Sequence, residues 1–479
     1  MSAEFTATLA WLALTLQVAL GLLCAWHALL TKRDPRSALA WIGISLLLPL
    51  GGPVLYFLFG VNRIRTRARR LGGRLPLPLQ FDYEQPDDAD LAEPATGDAP
   101  DSPIARASAR ISRRACLPGN TIRRLYNGEQ AYPAMVEAIR SAERYVYLST
   151  YIFGARGAAR DIVDALCAAR RRGVTVCVLI DGLGQWYTLT RAAPVLRRAD
   201  VRVARFLPLR LWPPSVHVNL RNHRKILVVD GELAFTGGMN IADYHMLGDG
   251  RGYRVADLHL RLTGPVVGQM EAVFAEDWHF ATGQTLPAPR AVPAQPATAS
   301  CRVITDGPNE DLDRLALVLL AAVSAAQRRI CIVTPYFLPG RELIGALQAA
   351  ALRGVQVSVL LPGRNNLPYV HWATRNMLWE LLQHGVEVRY QPPPFVHTKY
   401  LLVDEDYAQV GSANLDPRSL RLNFELNVEV FDTGFNADLA DDFAAAWAAS
   451  RSVSLDEISR RGLAVRTRDA LCWLFSPYL

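Results

Sequence analysis

The first sixty residues carry two long hydrophobic runs separated by a short charged loop. Residues 5–30 are almost wholly apolar, with few strongly polar side chains. This run is longer than the roughly 20 residues that a helix needs to cross a bilayer. It lacks the positively charged start of a cleaved signal peptide. The second run, residues 38–59, is interrupted at Pro49–Pro53. We therefore expect an N-terminal α-helical membrane segment over residues 1–71, with two hydrophobic helices.

Basic residues flank both runs and bear on the membrane topology. The loop at Lys32 is basic, and a stronger cluster follows the second run: Arg63, Arg65, Arg67, Arg69 and Arg70. The positive-inside rule places the large domain after this cluster in the cytoplasm. Two full spans, with the stronger cluster dominating, are the interpretation that we favour. In the alternative, the Pro-Gly break makes the second run re-entrant and leaves both basic segments on the cytoplasmic side.

Further along the chain, short apolar runs of strand type alternate with helical stretches. A strand pattern at residues 144–153 precedes a helical stretch and a strand at 173–181, and the same order returns at 329–337 and 354–361. Short apolar runs suit strands that are buried on both faces. We predict an α/β fold in which each of two halves has a mixed sheet covered by helices.

Two segments without hydrophobic periodicity separate these parts. Residues 72–115 include an acidic stretch at 82–101 that is typical of disorder. Residues 282–300 are rich in Ala and Pro. The remaining predicted parts are the two halves and a C-terminal segment, at residues 116–281, 301–450 and 451–479. Duplicated halves would most simply pack about a pseudo-twofold axis, with a ligand site at their interface.

Composition narrows the classes of function. Half of the 479 residues are hydrophobic, which supports a large core, and the formal charge of +7 suits an anionic partner, either a membrane surface or a nucleic acid. The seven cysteines are scattered and form no Cys-x-x-Cys pair, so neither a disulfide framework nor a zinc site is indicated. The sequence also lacks the metalloprotease, dinucleotide and phosphate-loop motifs. These absences argue against a metallohydrolase, a dehydrogenase and a nucleotidase.

One short pattern occurs twice, once in each predicted half. The first copy contains His223, Lys225, Asp230, Gly238 and Asn240. The second copy repeats the same spacing with His397, Lys399, Asp404, Ser412 and Asn414. Two copies with matching Asp, Gly and Asn positions are not expected by chance, and together they indicate one composite site.

These residue types suit phosphodiester chemistry. Lys225 and Lys399 would neutralise phosphate charge, and three neutral side chains would donate hydrogen bonds to it: Asn240, Asn414 and Ser412. One histidine can attack phosphorus and form a phosphohistidine, while the other acts as general acid and then as general base. Both roles are feasible near neutral pH because the ordinary histidine pKa is about 6.5.

Each half is also expected to hold a carboxylate that orients its own histidine. Asp257 is the candidate in the first half and Glu425 in the second, with Glu429 as the alternative there. Asp230 and Asp404 belong to the catalytic motif, but each closes a strand and enters a turn. We expect these two to hold local backbone rather than to react.

The doubled His-x-Lys-x4-Asp pattern resembles the phospholipase D superfamily, and within it the bacterial cardiolipin synthases. The likeness extends over nearly the whole chain and includes Arg36–Trp41, Tyr56–Gly60, Asn222–Lys225, Thr334–Phe337, Gly411–Glu425 and Phe475–Leu479. One departure is Gly238, where many members have Ser or Thr. On this comparison the first half would lack a hydroxyl donor that Ser412 supplies in the second.

The resemblance implies two tandem phospholipase D-like α/β sandwich halves and a reaction without metal or cofactor. One phosphatidylglycerol would donate its phosphatidyl group to a histidine, and a second would accept it, giving cardiolipin and glycerol. By analogy His223 is the nucleophile and His397 the acid and base, although a symmetric site leaves the reverse assignment open. The expected setting is the bacterial inner (cytoplasmic) membrane, with a multi-pass protein whose catalytic domain faces the cytoplasm. Expected partners are phospholipids and the bilayer, with a possible homo-oligomer and no nucleic acid.

Three other functions compete with this interpretation. A membrane-bound phospholipase D-type hydrolase would use the same motifs with water as the acceptor. A nuclease fits the basic charge but not the apolar N-terminus, and a scaffold would not need both motif copies. Two further stretches are candidate membrane contacts, the Pro-rich residues 206–216 with Trp212 and the Arg-rich residues 460–475, although core packing explains the first equally well.

Overall fold

The computed structural model describes most of the chain in two compact units, Met1–Leu79 and Gln80–Leu479. The described residues are 3–32, 35–48, 50–60, 100–188, 190–208, 220–248, 252–289, 292, 294, 296–308 and 313–476. The arginines at 63–70, most of the acidic stretch and residues 209–219 lie outside this set. Predictions for those segments, including the membrane contact at Trp212, therefore stay predictions.

The N-terminal unit contains one helix that is long and apolar enough to cross a membrane, among the residues described. Its helices are α1 (Ala3–Thr31), α2 (Pro35–Leu47) and α3 (Gly51–Leu55), followed by a π-helical turn at Tyr56–Gly60. The apolar window of α1 is Leu14–Thr31, with mean hydropathy 1.6. Helix α2 has 13 residues, about 20 Å, whereas the hydrocarbon core is about 30 Å thick. The prediction of two spans and a multi-pass topology is therefore not supported, because the described helices of the second run, α2 and α3, have only 13 and 5 residues.

The second hydrophobic run folds back towards its own starting point. Helix α2 packs against α1, and the ring of Trp41 lies 5.5 Å from that of Tyr56. The hydroxyl of Tyr56 is 2.7 Å from Nδ1 of His27, and Lys32 Nζ donates to the carbonyl of Gly60 at 2.6 Å. The chain thus enters and leaves this hairpin at the same end of α1.

The second unit contains both predicted halves and begins with helix α4 (Pro103–Ser112). The first-half strands are β1 (Leu117–Tyr126), β2 (Tyr145–Thr150), β3 (Thr175–Asp181), β4 (Arg202–Phe206), β5 (Ile226–Val229), β6 (Leu233–Gly237), β7 (Val255–Ala256) and β8 (Leu258–Thr263). The first-half helices are α5 (Asn127–Ser141), α6 (Ala158–Arg171), α7 (Ala192–Arg198) and α8 (Val266–Thr282).

The second half repeats this order and then adds a C-terminal extension. Its strands are β9 (Ala299–Asp306), β10 (Arg329–Val333), β11 (Gln356–Pro362), β12 (Glu387–Gln391), β13 (Phe395–Val396), β14 (Tyr400–Val403), β15 (Tyr407–Gly411), β16 (Glu425–Phe431) and β17 (Arg451–Ser452). Its helices are α9 (Arg314–Ala325), α10 (Arg341–Leu352), α11 (Pro368–Leu382), α12 (Pro417–Arg421), α13 (Thr433–Ala448), α14 (Leu455–Ser459) and α15 (Leu463–Leu474).

One continuous sheet runs through both halves. The strand order is β17-β12-β11-β10-β14-β15-β16-β9-β1-β8-β6-β5-β2-β3-β4. The sequence of strands outward from β9 matches that outward from β1, and these two strands pair antiparallel at the centre. This arrangement confirms the predicted α/β fold with two tandem halves, and antiparallel pairing of the equivalent strands β1 and β9 is what a pseudo-twofold axis requires.

Each half combines parallel and antiparallel pairing, as the sequence predicts. Strands β2, β3 and β4 are parallel, as are β10, β11 and β12, whereas the strands nearer the centre are antiparallel. Strands such as β3 are buried along nearly their whole length. The continuous Val, Leu and Ile runs fit this position because helices cover both faces of the sheet.

Residues 72–115, which the sequence predicts to be a linker between the membrane segment and the first half, contain a helix near their C-terminal end. Residues 103–112 form helix α4, which begins where the Ser102 hydroxyl accepts a hydrogen bond from the Ala105 amide at 3.1 Å. The helix is anchored to the second half, since Ser108 donates to Glu429 at 2.7 Å and Arg302 donates to the Ala105 carbonyl at 3.0 Å. A short polar helix of this kind carries little apolar signal in the sequence.

Candidate active site

Both motif histidines lie immediately before a short central strand. His223 and Lys225 precede β5, and His397 and Lys399 precede β14. The apolar residues of β5 and β14 are buried in the core clusters. They therefore fix the start of each strand, where the histidine and the lysine are placed.

Main-chain hydrogen bonds tie each histidine to the opposite half. The His223 amide donates to the Phe424 carbonyl at 2.9 Å, and the His397 amide donates to the Ala256 carbonyl at 2.7 Å. Phe424 and Ala256 come directly before Glu425 and Asp257 in the sequence. Strand β13 also pairs with β7 in parallel, which extends the second of these contacts. The backbone therefore brings each histidine beside the carboxylate of the other half.

The side chains also pair across the two halves, so that each histidine contacts the carboxylate of the opposite half. His397 Nδ1 is 2.8 Å from Asp257 Oδ2, and His223 Nδ1 is 3.4 Å from Glu425 Oε1. The two carboxylates singled out from the sequence thus face histidines, but the expectation that each orients the histidine of its own half is wrong. Local sequence could not reveal the exchange, because it depends on how β8 and β16 meet the opposite half.

Glu429, the alternative carboxylate of the second half, has a different environment. Its carboxylate accepts hydrogen bonds from Arg302 Nε at 3.0 Å and from the hydroxyls of Ser108 and Tyr407, each at 2.7 Å. It lies four residues beyond Glu425 on the same strand. The structure therefore places Glu429 in a buried polar cluster beside α4 and not beside a histidine.

The lysines lie next to the histidines, and the second nitrogen of each imidazole ring is available for chemistry. Lys225 Nζ donates to the His223 carbonyl at 2.7 Å, and Lys399 Nζ lies 2.8 Å from His397 Nδ1. In the described part of the chain no residue hydrogen-bonds to Nε2 of either histidine. Nε2 is the nitrogen that could attack phosphorus or carry a proton to a leaving group.

Burial dominates the electrostatics of the site. It lowers the pKa of His223, and together with the charges of Lys399 and Lys225 it holds the pKa of His397 well below its usual value. Burial also lowers the pKa of Lys399, to about 7. The charge of Lys225 in the first half thus acts on His397 in the second half. An anionic phosphodiester would reverse these trends, because it favours the protonated forms.

Ser412 supports the carboxylate of Glu425. Its hydroxyl donates to Glu425 Oε2 at 2.6 Å, and it accepts a hydrogen bond from the Leu426 amide at 3.0 Å. Burial alone would raise the pKa of Glu425, but His223, Lys225 and the Ser412 hydrogen bond together lower it. Phosphate binding by Ser412 stays a prediction, and in this structure the Ser412 hydroxyl donates its hydrogen bond to Glu425.

Gly238 occupies the position in the first half that Ser412 occupies in the second. A Cβ atom at Gly238 would overlap both carboxylate oxygens of Asp257. The two differences between the halves are thus linked: glycine accompanies the shorter aspartate, and serine accompanies the longer glutamate. Position 238 has glycine in place of Ser or Thr because a side chain there would collide with the Asp257 carboxylate. Since Asp257 contacts His397, this glycine affects the position of His397 more than phosphate binding.

The side chains of the two motif asparagines are buried, and each makes a hydrogen bond within the protein. Asn240 Oδ1 accepts a hydrogen bond from the Ile152 amide at 3.2 Å, and Asn414 Nδ2 donates to the Ser419 hydroxyl at 3.1 Å. Asn414 Oδ1 has no hydrogen-bond partner in the described part of the chain. Phosphate binding by these amides stays a prediction; Asn414 Nδ2 carries a second N–H besides the one that it donates to Ser419.

Asp230 and Asp404 lie at the far ends of β5 and β14 from the histidines. Asp230 accepts hydrogen bonds from the amides of Glu143, Arg144 and Tyr145 at 2.8–2.9 Å. Asp404 does the same for residues 327–329. Both residues adopt positive φ angles, 54° and 51°. Their geometry agrees with a backbone-holding role and gives neither carboxylate contact with a motif histidine.

Sequence reasoning assigned no role to several neighbours of His223. Asn423 Nδ2 donates to Glu425 at 3.1 Å and lies 3.4 Å from His223 Nδ1. The ring of Tyr151 packs 4.4 Å from the imidazole of His223. Arg418 is close enough to contribute to the lowered pKa of His223, and its Nε is buried without a hydrogen-bond partner among the described residues. In the first half the position equivalent to Arg418 is Tyr244. The arginine therefore gives the second half a positive charge that the first half lacks at this position.

Potential metal ligands are dispersed in this structure. No group of three His, Cys, Asp or Glu side chains that could hold a metal ion occurs among the described residues. The expectation of a reaction without metal or cofactor rests on the sequence and stays a prediction.

Two family models match the chain. The model described as "Cardiolipin synthase, PLD-like domain" matches residues 135–278 and 319–447, so one copy falls in each half. The model described as "Phospholipase_D-nuclease N-terminal" matches residues 19–60. These matches confirm the resemblance seen in the sequence and include the N-terminal hairpin.

Individual proteins agree with the family models. The chain is 35% identical to cardiolipin synthase A of Pseudomonas putida, over 89% of this chain and 90% of that protein. It is 30% identical to a cardiolipin synthase of Geobacillus kaustophilus, over 94% and 90%. Among solved structures, phosphatidylserine synthase from Haemophilus influenzae covers 78% of this chain and 100% of its own, with a TM-score of 0.60 and 15% identity. That last likeness shows the fold alone.

Proposed function

Because the chain belongs to the cardiolipin synthases of the phospholipase D superfamily, we propose that it transfers a phosphatidyl group between two phosphatidylglycerol molecules. The products are cardiolipin and free glycerol. The observation that carries this proposal is the exchange of histidine and carboxylate between the halves. It assembles two His-carboxylate pairs and two lysines in one site, which is the set that transfer through a covalent intermediate requires.

In the first step a histidine Nε2 attacks the phosphorus of the donor lipid. The phosphorus–nitrogen bond forms, the bond to the glycerol oxygen breaks, and the other histidine gives its proton to that oxygen. We assign the attack to His223 and the proton transfer to His397, with the reverse roles open to test. Lys225 and Lys399 would offset the charge that develops on the phosphoryl oxygens.

In the second step a hydroxyl of another phosphatidylglycerol attacks the phosphohistidine. His397, now neutral, removes the hydroxyl proton as the new phosphorus–oxygen bond forms and the phosphorus–nitrogen bond breaks. Asp257 supports the positive charge that His397 carries before the first step and regains in the second, because its carboxylate lies 2.8 Å from Nδ1. The protonation state of each group is restored at the end of the cycle.

The membrane arrangement is part of the proposal. Helix α1 would cross the bacterial inner membrane once, and the hairpin of α2 and α3 would re-enter on the same side. The contact between Lys32 and Gly60 supports this topology, because it places both ends of the hairpin together. The basic residues near Lys32 and those at 63–70 would then share the cytoplasmic side, as would the catalytic unit.

Product analysis tests the reaction. Purified full-length protein in mixed micelles with phosphatidylglycerol should yield cardiolipin and glycerol in equal amounts. Phosphatidic acid as the main product would instead favour the hydrolase. His223→Ala and His397→Ala should each reduce turnover by at least about 1,000-fold, while the thermal unfolding midpoint changes little.

A matched control and a trap complete the test. His279, a half-buried helix residue that contacts Thr285, should tolerate replacement by alanine with near-normal activity. The His397→Ala protein is digested without exposure to acid. Mass spectrometry of the peptides should then find phosphatidyl-histidine at His223. Finding it on His397 in the His223→Ala protein would reverse the two roles, and wild-type rates in either variant would refute the shared site.

A further inference from the structure

A cavity of about 260 Å³ lies in the second half, away from the four catalytic side chains. Its wall is mostly apolar and includes Leu338, Pro339, Ile344, Met377, Leu422 and Trp473. Arg341, Arg421 and Glu380 add charged groups, with Arg341 paired to Glu380. An apolar cavity with a few charged residues suits a ligand that has a hydrocarbon part and a polar end.

The cavity shares two segments with the active site. Leu422 comes directly before Asn423, whose side chain contacts His223, and helix α12 contributes both Arg421 to the cavity and Arg418 to the site. Leu338 follows Tyr336 by two residues, and the ring of Tyr336 lies 6.2 Å from that of His397. The cavity therefore adjoins the active site through two short stretches of chain, residues 336–338 and 418–423.

Helix α15 forms another side of the cavity and also presents an uncovered apolar face. Trp473 points to the cavity, and Asp469 is fully buried against the rest of the unit. On the other side Leu463, Leu471, Leu474 and Phe475 are 80%, 55%, 63% and 61% exposed. Their spacing places them along one face of the helix. A contiguous apolar face at the end of a helix is typical of a surface that contacts another apolar phase.

The surroundings of α15 are positively charged. Asp469 accepts hydrogen bonds from three arginines, Arg375, Arg461 and Arg468, so one carboxylate faces three guanidinium groups. The Arg468 guanidinium also lies 4.2 Å from the Trp372 ring, and Arg466 is exposed on the same helix. An apolar face beside an excess of arginines matches the interface of an anionic bilayer, where apolar side chains enter and arginines meet headgroups.

We propose that α15 docks on the bilayer and that the cavity behind it binds an acyl chain of an anionic phospholipid taken from that bilayer. This lipid is accessory, since none of the catalytic side chains lines the cavity, and it fixes the segments that the cavity shares with the active site. The phosphate would lie near Arg341 and Arg421, whose side chains are 61% and 66% exposed. The choice of a bilayer as the partner rests on the proposed function, but binding itself does not require turnover.

Photolabelling of the full-length protein tests the site. The protein is placed in nanodiscs that contain phosphatidylglycerol with a diazirine midway along one acyl chain, irradiated and digested. We expect adducts at Met377 and Trp473 in addition to those in α1. The same adducts should form in the inactive His223→Ala protein, so that failure of the proposed reaction and failure of this site are distinguishable. Adducts confined to α1 and to the active-site segments would overturn the proposal.

Variants separate docking from cavity binding. Leu471→Glu with Leu474→Glu should reduce labelling at Met377 at least fivefold, and Met377→Trp, which fills the cavity, should reduce labelling at Trp473 to a similar extent. Leu352→Glu is the matched control, because Leu352 is 71% exposed at the far end of α10. Thermal unfolding shows whether Met377→Trp folds, and Ile344→Phe gives a second way to fill the cavity.

Activity on a dissolved substrate shows whether the lipid is accessory. Short-chain dihexanoyl phosphatidylglycerol should be converted about as fast by the Leu471→Glu, Leu474→Glu variant as by wild type when no bilayer is present. Addition of long-chain phosphatidylserine vesicles should stimulate wild type several-fold but not this variant. No stimulation of wild type, or a crosslink from α15 to a second copy of the chain in place of lipid, would contradict the proposal.

Discussion

His397 Nδ1 lies 2.8 Å from the Oδ2 atom of Asp257, although the two residues belong to opposite halves of the chain. The counterpart pair, His223 and Glu425, makes the same exchange at 3.4 Å. Each histidine is therefore positioned by the half to which it does not belong, and the main-chain bonds from His223 to Phe424 and from His397 to Ala256 hold this arrangement.

A double-mutant cycle should detect the exchange. Asp257→Asn combined with His397→Gln should show a coupling of about 1 kcal/mol in the free energy of unfolding, because the two side chains are in contact. Asp257→Asn combined with His223→Gln should be additive within about 0.5 kcal/mol. Denaturant unfolding of the purified protein measures both cycles, and equal coupling in the two would contradict the crossed pairs.

Gly238→Ser should inactivate the enzyme, because its side chain would displace the Asp257 carboxylate. We expect a loss in kcat of about 100-fold or more, as for other losses of a histidine-orienting group. Adding Asp257→Glu rebuilds the combination found at Ser412 and Glu425 and should recover part of the activity. Product assays on the single and double variants decide this, and a Gly238→Ser enzyme with normal kcat would refute the steric link.

Ser412→Gly provides the reciprocal control. It removes the 2.6 Å hydrogen bond to Glu425 without adding atoms. We therefore expect a smaller loss of activity than with Gly238→Ser.

Asp230→Ala and Asp404→Ala should lower stability far more than catalysis. Each replacement removes the acceptor of three main-chain amides and puts alanine at a positive φ angle, so we expect a loss of about 2–4 kcal/mol in the free energy of unfolding. Activity per folded molecule should stay within about threefold. Glu232→Ala is the control, because its pair with Arg144 is exposed and contributes little. A large drop in kcat at normal stability would make these aspartates catalytic after all.

The pH dependence of kcat/KM should report the loss of the proton from Lys399. Burial lowers its pKa from 10.5 to about 7, so kcat/KM should fall as the pH rises above about 7 and this cation is lost. Stability should change in the opposite direction. Between pH 7 and 10.5 the unfolded chain binds a proton that the folded chain does not, so the free energy of unfolding rises with pH.

Lys399→Met should remove both effects. Steady-state rates and denaturant unfolding over pH 6–9.5 measure them. An alkaline limb of kcat/KM that is unchanged in Lys399→Met would show that another group is responsible.

Features fixed by local pattern were predictable from the sequence. The apolar runs at β2, β3, β10 and β11 gave the strands, and the matched spacing of the motifs indicated a duplicated fold with one site. Asp257 and Glu425 were identifiable as carboxylates next to alternating strands. Helix α1 was recognisable from its length and hydropathy alone.

Features that depend on long-range contacts were not predictable in this way. The exchange of Asp257 and Glu425 is set by pairing between segments well over 100 residues apart. The steric reason for Gly238 requires the position of Asp257, and the role of Ser412 requires that of Glu425. The second hydrophobic run had the composition of a span, but it forms only short helices. Its return is revealed by long-range contacts, those of Lys32 with Gly60 and of His27 with Tyr56.

The crossed pairs make each half dependent on the other. A protein made of the first half alone would keep His223 and Lys225 but lose Glu425, and would keep Asp257 without the histidine that it serves. A single copy of either half would therefore lack a complete pair, which forms when the two halves associate, as they do where β1 pairs with β9. If the chain were cut between residues 283 and 298, activity would be expected only from the reassembled fragments, and its concentration dependence would report the strength of that central strand pairing.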